Sequence, residues 1–169
     1  WLNNPFEISD GVVLLNGEYQ FSEFRIDART ANQRVVSGHL GLSKGEFWSG
    51  HRTSANVNVD VRPYQGITIS ANYRRDDVDL PAGRFATELV RMSGAWHLSP
   101  WTSVTGNVQY DSVSEVVGLF TRLRWIMKPG SEFFLVYTQN WQYDLTKSHD
   151  RFLTLSRGAT TKVNYTYQF

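Results

Sequence analysis

The chain is 169 residues long, with 17 basic and 16 acidic side chains, no cysteine and an aromatic content of 14%. A net charge of +1 gives no general attraction to nucleic acid, and the lack of cysteine excludes disulfides, thiolate metal sites and cysteine catalysis. Cysteine-free chains also suit passage through an oxidising periplasm. No run of about 18 apolar residues occurs, which excludes a transmembrane helix but leaves a transmembrane β-barrel open, because barrel strands send only alternate residues to lipid.

In chain order, the first 16 residues contain "NNP" and "SDG" and read as a loop or lid segment. The remainder, 17–169, reads as one all-β unit. "EYQFSEFRIDA" starts in phase on Tyr19 and Phe21 and shifts to Phe24, Ile26 and Ala28, which predicts a bulge. "RVVSGHLGL" alternates on Val36, Gly38, Leu40 and Leu42. "TSANVNVDVRP" sets Ala55, Val57, Val59 and Val61 against Asn56, Asn58, Asp60 and Arg62. "ITISANYRR" sets Ile67, Ile69, Ala71 and Tyr73 against Thr68, Ser70, Asn72 and Arg74. The same period of two runs through "VRMSGAWHL", "SVTGNVQYD", "LFTRLRWIM" and, less cleanly, "EFFLVYTQNW". The chain closes on "VNYTYQF", with Val163, Tyr165, Tyr167 and Phe169 on one side.

These segments predict about nine strands of roughly 8–11 residues, the length that crosses a bilayer when tilted. Short turns are expected at Thr30–Gln33, Pro63–Gly66, Ser99–Pro100 and Lys128–Ser131. Longer polar loops are expected near Ser43–His51, Arg74–Phe85, Asp111–Val116 and Gln142–Thr160. Short turns at one end and long loops at the other are the build of an outer-membrane barrel. A soluble β-sandwich also alternates. Against it stand the even strand length, the aromatics near strand ends, and polar faces of Asn, Ser, Thr, Gln and Arg rather than Lys and Glu. The fold expected is therefore an antiparallel transmembrane β-barrel. An odd count of nine points to the C-terminal portion of a larger barrel, since bacterial barrels have even numbers; an eight-stranded complete barrel is the alternative if the Tyr19–Ala28 strand is misread. The missing initiator Met agrees with a piece of a longer chain.

The aromatic alternation ending in Phe169 resembles the C-terminal signal that the barrel-assembly machinery reads on bacterial outer-membrane proteins, with Val163, Tyr165, Tyr167 and Phe169 as the matching residues. "NPFEISDGVV", "RRDDVDLPAGRF" and "TRLRWIMKPGSEFFLVYTQN" resemble the C-terminal barrel of an uncharacterised family of large bacterial outer-membrane proteins in which a carbohydrate-binding-like domain precedes the barrel. The hairpin Arg122 to Tyr137 carries most of that likeness. It implies residence in the bacterial cell outer membrane, contact with outer-membrane lipid, and dealings with small polar solutes, saccharides among them.

The polar faces hold the residues with chemical potential. Arg62, Arg91, Arg122, Arg124, Asp60 and His97 are candidates to line a lumen, because ionisable groups at membrane depth must meet water or each other. Arg62, Arg122 and Arg124 fall near the short-turn ends, where arginines set anion preference in pores; pairing with acids across strands is the competing expectation. The four histidines lack metal-ligand spacing, "SHD" (Ser148–Asp150) is not a triad by adjacency, and "DDVD" (Asp76–Asp79) lacks the Gly and Glu of a calcium loop and reads as a solvated loop. No metal, cofactor or catalytic residue is expected. The function expected is an outer-membrane channel or transport domain for small polar solutes, with a structural anchor for a partner protein, its lumen plugged, as the alternative.

Overall fold

The computed structural model describes residues 2–9, 11–143 and 152–166. Two short strands, β1 (Phe6–Ser9) and β2 (Val12–Leu14), pair as a hairpin of their own. Nine more form one antiparallel sheet in which each strand neighbours the next in sequence. They are β3 (Glu23–Arg29), β4 (Val36–Phe47), β5 (Gly50–Val61), β6 (Ile67–Leu80), β7 (Gly83–Ser99), β8 (Thr102–Asp111), β9 (Val116–Lys128), β10 (Ser131–Tyr143) and β11 (Phe152–Asn164). No helix occurs among the described residues.

Register converts nine separate alternations into two coherent faces. One row runs Leu40, Val57, Tyr73, Val90, Tyr110, Val117, Trp141 across seven strands. The adjacent row, on the opposite face, runs His39, Asn58, Asn72, Arg91, Gln109, Gly118, Asn140. A slip of one residue in any strand would exchange its side chains between faces. The polar face is the more enclosed one. Asn58, Asn72 and Asn107 are half-buried, whereas Met92 on the apolar face is 55% exposed and Trp96 52%. The sheet therefore curves with its polar side concave. It does not close: β3 and β11 are its two edges. In a nine-stranded meander they run in the same direction, so direct closure would be a parallel pairing unlike every other in the sheet.

Several sequence expectations change. Strands β4 to β7 are 12 to 17 residues long, because the polar stretches taken for loops continue the alternation. The expected Ser43–His51 loop is two strand ends joined at Trp48 and Ser49, with Trp48 at a φ of 52°. The expected Arg74–Phe85 loop, "DDVD" included, is two strand ends joined at Pro81 and Ala82. Only 112–115 remains a loop as expected; of Gln142–Thr160, the part from Phe152 is β11, and Ser148–Asp150 lies outside the described residues. The last strand consequently ends at Asn164 instead of beginning at Val163. The predicted bulge near Tyr19 is absent; Tyr19 and Phe21 leave the sheet and meet the Trp48 ring edge-on at 5.1 and 5.7 Å. At the opposite end the short turns agree with expectation, and Pro129–Gly130, with Gly130 at a φ of 80°, has the residues a type II turn demands. That short-turn end is called proximal below, and the Trp48–Ser49, Pro81–Ala82 and 112–115 end distal.

The opening segment expected as a loop or lid is the β1–β2 hairpin. Its Val12 and Leu14 are buried against Val78 and Leu80, with Ile8, Phe47, Trp48 and Phe85 packed around them. Leu14 is 1% exposed. The reason lies in β6. Its concave-face residues are Thr68, Ser70, Asn72, Arg74 and Asp76, then turn apolar at Val78 and Leu80, and the hairpin covers that apolar end. This is the buried hydrophobic cluster of the described residues.

Candidate functional site on the concave polar face

One groove of the concave face lies over β4 and its neighbours. The residues that β4 turns inward are Ser37, His39, Gly41, Ser43, Gly45 and, at its distal end, Phe47, all small except the histidine and the phenylalanine. A Cβ on Gly45 would stand 2.2 Å from the Ser22 carbonyl oxygen, and one on Gly41 would stand 3.1 Å from Asp27 Oδ1, so glycine lets β3 and its side chains lie close. The result is a groove of about 360 Å³, walled by Arg25, Arg52, Arg74 and Arg91 together with Asn56 and Asn72. The next inward row toward the distal end, Arg52, Val78 and Phe85, brings the wall to the apolar patch under β1–β2.

Most charges in the groove are held by partners. Glu23 accepts from Arg25 at 2.7 Å and Arg52 at 3.1 Å, and these two guanidiniums hold its carboxyl below the usual carboxylate range. Arg74 Nε donates to Asp76 Oδ2 at 2.8 Å, and Asp76 also accepts from Ser54. His39 Nε2 lies 3.0 Å from Asp27 Oδ1. Asn72 Nδ2 donates to Asn56 Oδ1 at 2.9 Å. Arg91 differs: it donates through Nε and Nη2 to Gln109 Oε1 at 3.0 and 2.7 Å, and no carboxylate answers it among the described residues.

The predicted lining residues divide. Arg91 stands in the groove. Asp60 lies on the concave face, accepting from Ser70 Oγ at 2.5 Å and Asn58 Nδ2 at 2.9 Å. His97 and Arg124 flank Ser103 near the proximal end. Arg124 is paired with Glu132, and its guanidinium lies 6.0 Å from the Phe134 ring centre. Arg122, opposite Thr105 and Val136, is exposed and has no ion pair among the described residues. Arg62 follows the end of β5 and donates to the Asn32 carbonyl at 2.8 Å, so it closes the proximal loop rather than extending the strand's lining. Of the terminal residues, Val163 is in β11 opposite Phe133, Tyr165 accepts a bond from Lys128 Nζ at 3.0 Å, and Tyr167 and Phe169 lie outside the described residues. The reading from sequence missed Glu23, Arg52, Ser54 and Asp76: Asp76 fell in an expected loop, Arg52 and Ser54 at a strand margin, and Glu23 at the expected bulge. The signal was present in the unbroken alternation from Arg74 through Leu80.

The convex face is zoned by height. Near the proximal end it shows Trp96, Trp101 and Trp125, each about half exposed. Above them come Val61, Ile69, Met92, Val108 and Leu119, then Tyr73, Tyr110 and Trp141. From Trp125 to Val117 on β9 is eight residues, roughly 26 Å of strand. Outward charges on β5 to β7 begin only beyond that band: Arg75 pairs with Asp77 and Glu88 at 2.8 and 2.7 Å, and Arg84 with Asp79 at 2.6 Å. The band is interrupted at Gln139 and Arg157 toward the β11 edge. No family model, curated protein or solved structure matches the chain.

Proposed function

We propose that this chain is part of an outer-membrane β-barrel whose concave face is a solute-contacting lumen, and that it serves passage of small polar solutes across the bacterial outer membrane. One observation carries the reading: the faces are inverted relative to a water-soluble sheet. The apolar face is the exposed one and the hydrogen-bonding face the enclosed one. In water such an exposed apolar surface would be an association liability; in lipid it is the expected exterior. The aromatic girdle at each border of the band, and the charges that on β5 to β7 begin only beyond it, agree with a lipid-facing belt crossed by tilted strands. Closure then takes an odd number of further strands between β11 and β3, from the same polypeptide or a partner.

The anchor reading keeps a specific observation in its favour, the hairpin seated over the distal end of the concave face. Two measurements test the proposal. Single cysteines at Met92 and Val108 should resist a membrane-impermeant maleimide in proteoliposomes, while those at Ser70 and Asn107 react; equal labelling of both sets refutes the membrane assignment. Planar-bilayer recordings should show single-channel current. Its absence in both the intact protein and a variant lacking residues 2–17 leaves the anchor.

A further inference from the structure

We propose that the groove beneath the β1–β2 hairpin binds a small solute bearing a carboxylate or phosphate group, with Arg91 as its anchoring charge. The inference rests on the reading of the concave face as solute-contacting, and it names the chemistry of the solute. The charges of the groove do not balance. Four guanidiniums, those of Arg25, Arg52, Arg74 and Arg91, face three carboxylates, those of Glu23, Asp27 and Asp76. Arg25 and Arg52 share one acid, Arg74 has its own, and Asp27 is engaged by His39. The unanswered cation is Arg91, whose partner Gln109 is neutral.

An anion would complete what Gln109 cannot. With Nε and Nη2 turned to Gln109, Arg91 keeps Nη1 uncommitted, and a planar guanidinium edge suits a carboxylate or phosphate oxygen. Asn72, paired opposite Arg91 in the register, stands in the same wall with its amide N–H groups given to Asn56 Oδ1 and the Val57 carbonyl, so its part is to hold the wall beside Arg91. The glycine floor supplies room, about 360 Å³, enough for a small organic anion. The lining residues include no Phe, Tyr or Trp, and the one ring among them, the His39 imidazole, is engaged by Asp27, so the wall lacks the broad stacking platform that would favour an uncharged sugar. The hairpin seats on Val78 and Leu80, beyond the distal end of the groove, and leaves Arg91 exposed to an entering solute. The other charged clusters carry less. Arg75, Asp77 and Glu88 are mutually paired on the convex face, as are Arg84 and Asp79.

The test is calorimetric titration of the full chain in detergent micelles at low salt, with inorganic phosphate, succinate and glucose as separate probes. Phosphate or succinate should bind and glucose should not, and the two anion arms tell which group the groove prefers. Arg91→Gln should weaken anion binding at least tenfold, and Asn72→Ala by a smaller factor. Arg75→Gln, on the other face, should leave binding unchanged. Heat-modifiable gel migration checks that each variant is folded; where Arg91→Gln is not, Asn72→Ala decides. Glucose binding as tight as that of the anions, or anion binding indifferent to Arg91 and Asn72, overturns the proposal. The failures are separable. Current without anion binding removes the site and leaves the pore, whereas anion binding without current removes passage and leaves the site.

Discussion

The two ends of the concave face are built from the same alternation, yet they do opposite things with charge and apolar surface. At the distal end the charges are dense and nearly all answered, by Glu23, Asp27 and Asp76, and the face then turns apolar and takes the β1–β2 hairpin. At the proximal end Arg124 is answered by Glu132, Arg122 has no ion pair among the described residues, and no hairpin covers it. The difference shows how a polar face acquires a lid. A sheet whose enclosed side is polar offers an added segment no hydrophobic purchase; Val78 and Leu80 of β6, with Phe85 across from Val78 and Phe47 and Trp48 beside them, create one.

The largest expected effect strikes that docking patch. Leu14→Ala removes a buried side chain from a cluster with four buried members and should cost about 2–3 kcal/mol of hairpin docking. Hydrogen exchange should then speed up in residues 2–17 while β8 to β10 stay protected. Loss of protection throughout the sheet would mean that the hairpin is part of one cooperative core and that the contrast between the ends is superficial.

A smaller effect is expected at the proximal end. Arg124→Gln strands the half-buried Glu132 carboxylate and should cost on the order of 1 kcal/mol, since the pair is partly solvated. Arg122→Gln should be nearly neutral in stability. Chemical denaturation of both variants checks the order, and equal losses would show that Arg122 has a partner in the assembled protein.

Acid gives the smallest effect, and only beyond the band. Asp77 is held below its ordinary carboxylate range by Arg75, and Asp79 by Arg84. Depressed values mean that these pairs stabilise the fold above an ordinary aspartate pKa of about 3.8 and that the contribution fades as pH falls through the folded-state values. Melting followed from about pH 6 to about pH 3 should show a modest fall, reduced in Arg75→Gln. Both pairs are exposed, so salt should diminish it as well.

Much of this was legible in residue order. A period of two is a local property of the strand, so the all-β class, eight of the nine sheet strands, the proximal turns and the faces of those strands could be read from "NVNVDV", "ITISANY" or "VRMSGAW" without any fold, whereas most of β11 was expected as loop. The distal loops were misread for the same reason. "RRDDVDL" is so charged that composition suggested a solvated loop, while its alternation, with Arg75, Asp77 and Asp79 one way and Asp76, Val78 and Leu80 the other, said strand. Periodicity was the better guide, because charge is tolerated on either face once the chain leaves the apolar band.

What residue order could not supply is everything that depends on which strand lies beside which and at what register. That Arg91 meets only Gln109, that Glu23 reaches Arg52 as well as its own strand's Arg25, and that Arg62 turns back to Asn32 are consequences of neighbours from other elements, whereas Arg74 and Asp76 are same-face neighbours two residues apart on one strand. The same holds for Val12 and Leu14, in the short apolar run Val12–Leu15, whose buried partners Val78 and Leu80 lie over 60 residues away in sequence. Alternation assigns each side chain to a face because it is set by the chain's own pleat. Pairing, by contrast, is fixed only when the sheet assembles and the ladder's hydrogen bonds choose one register out of many.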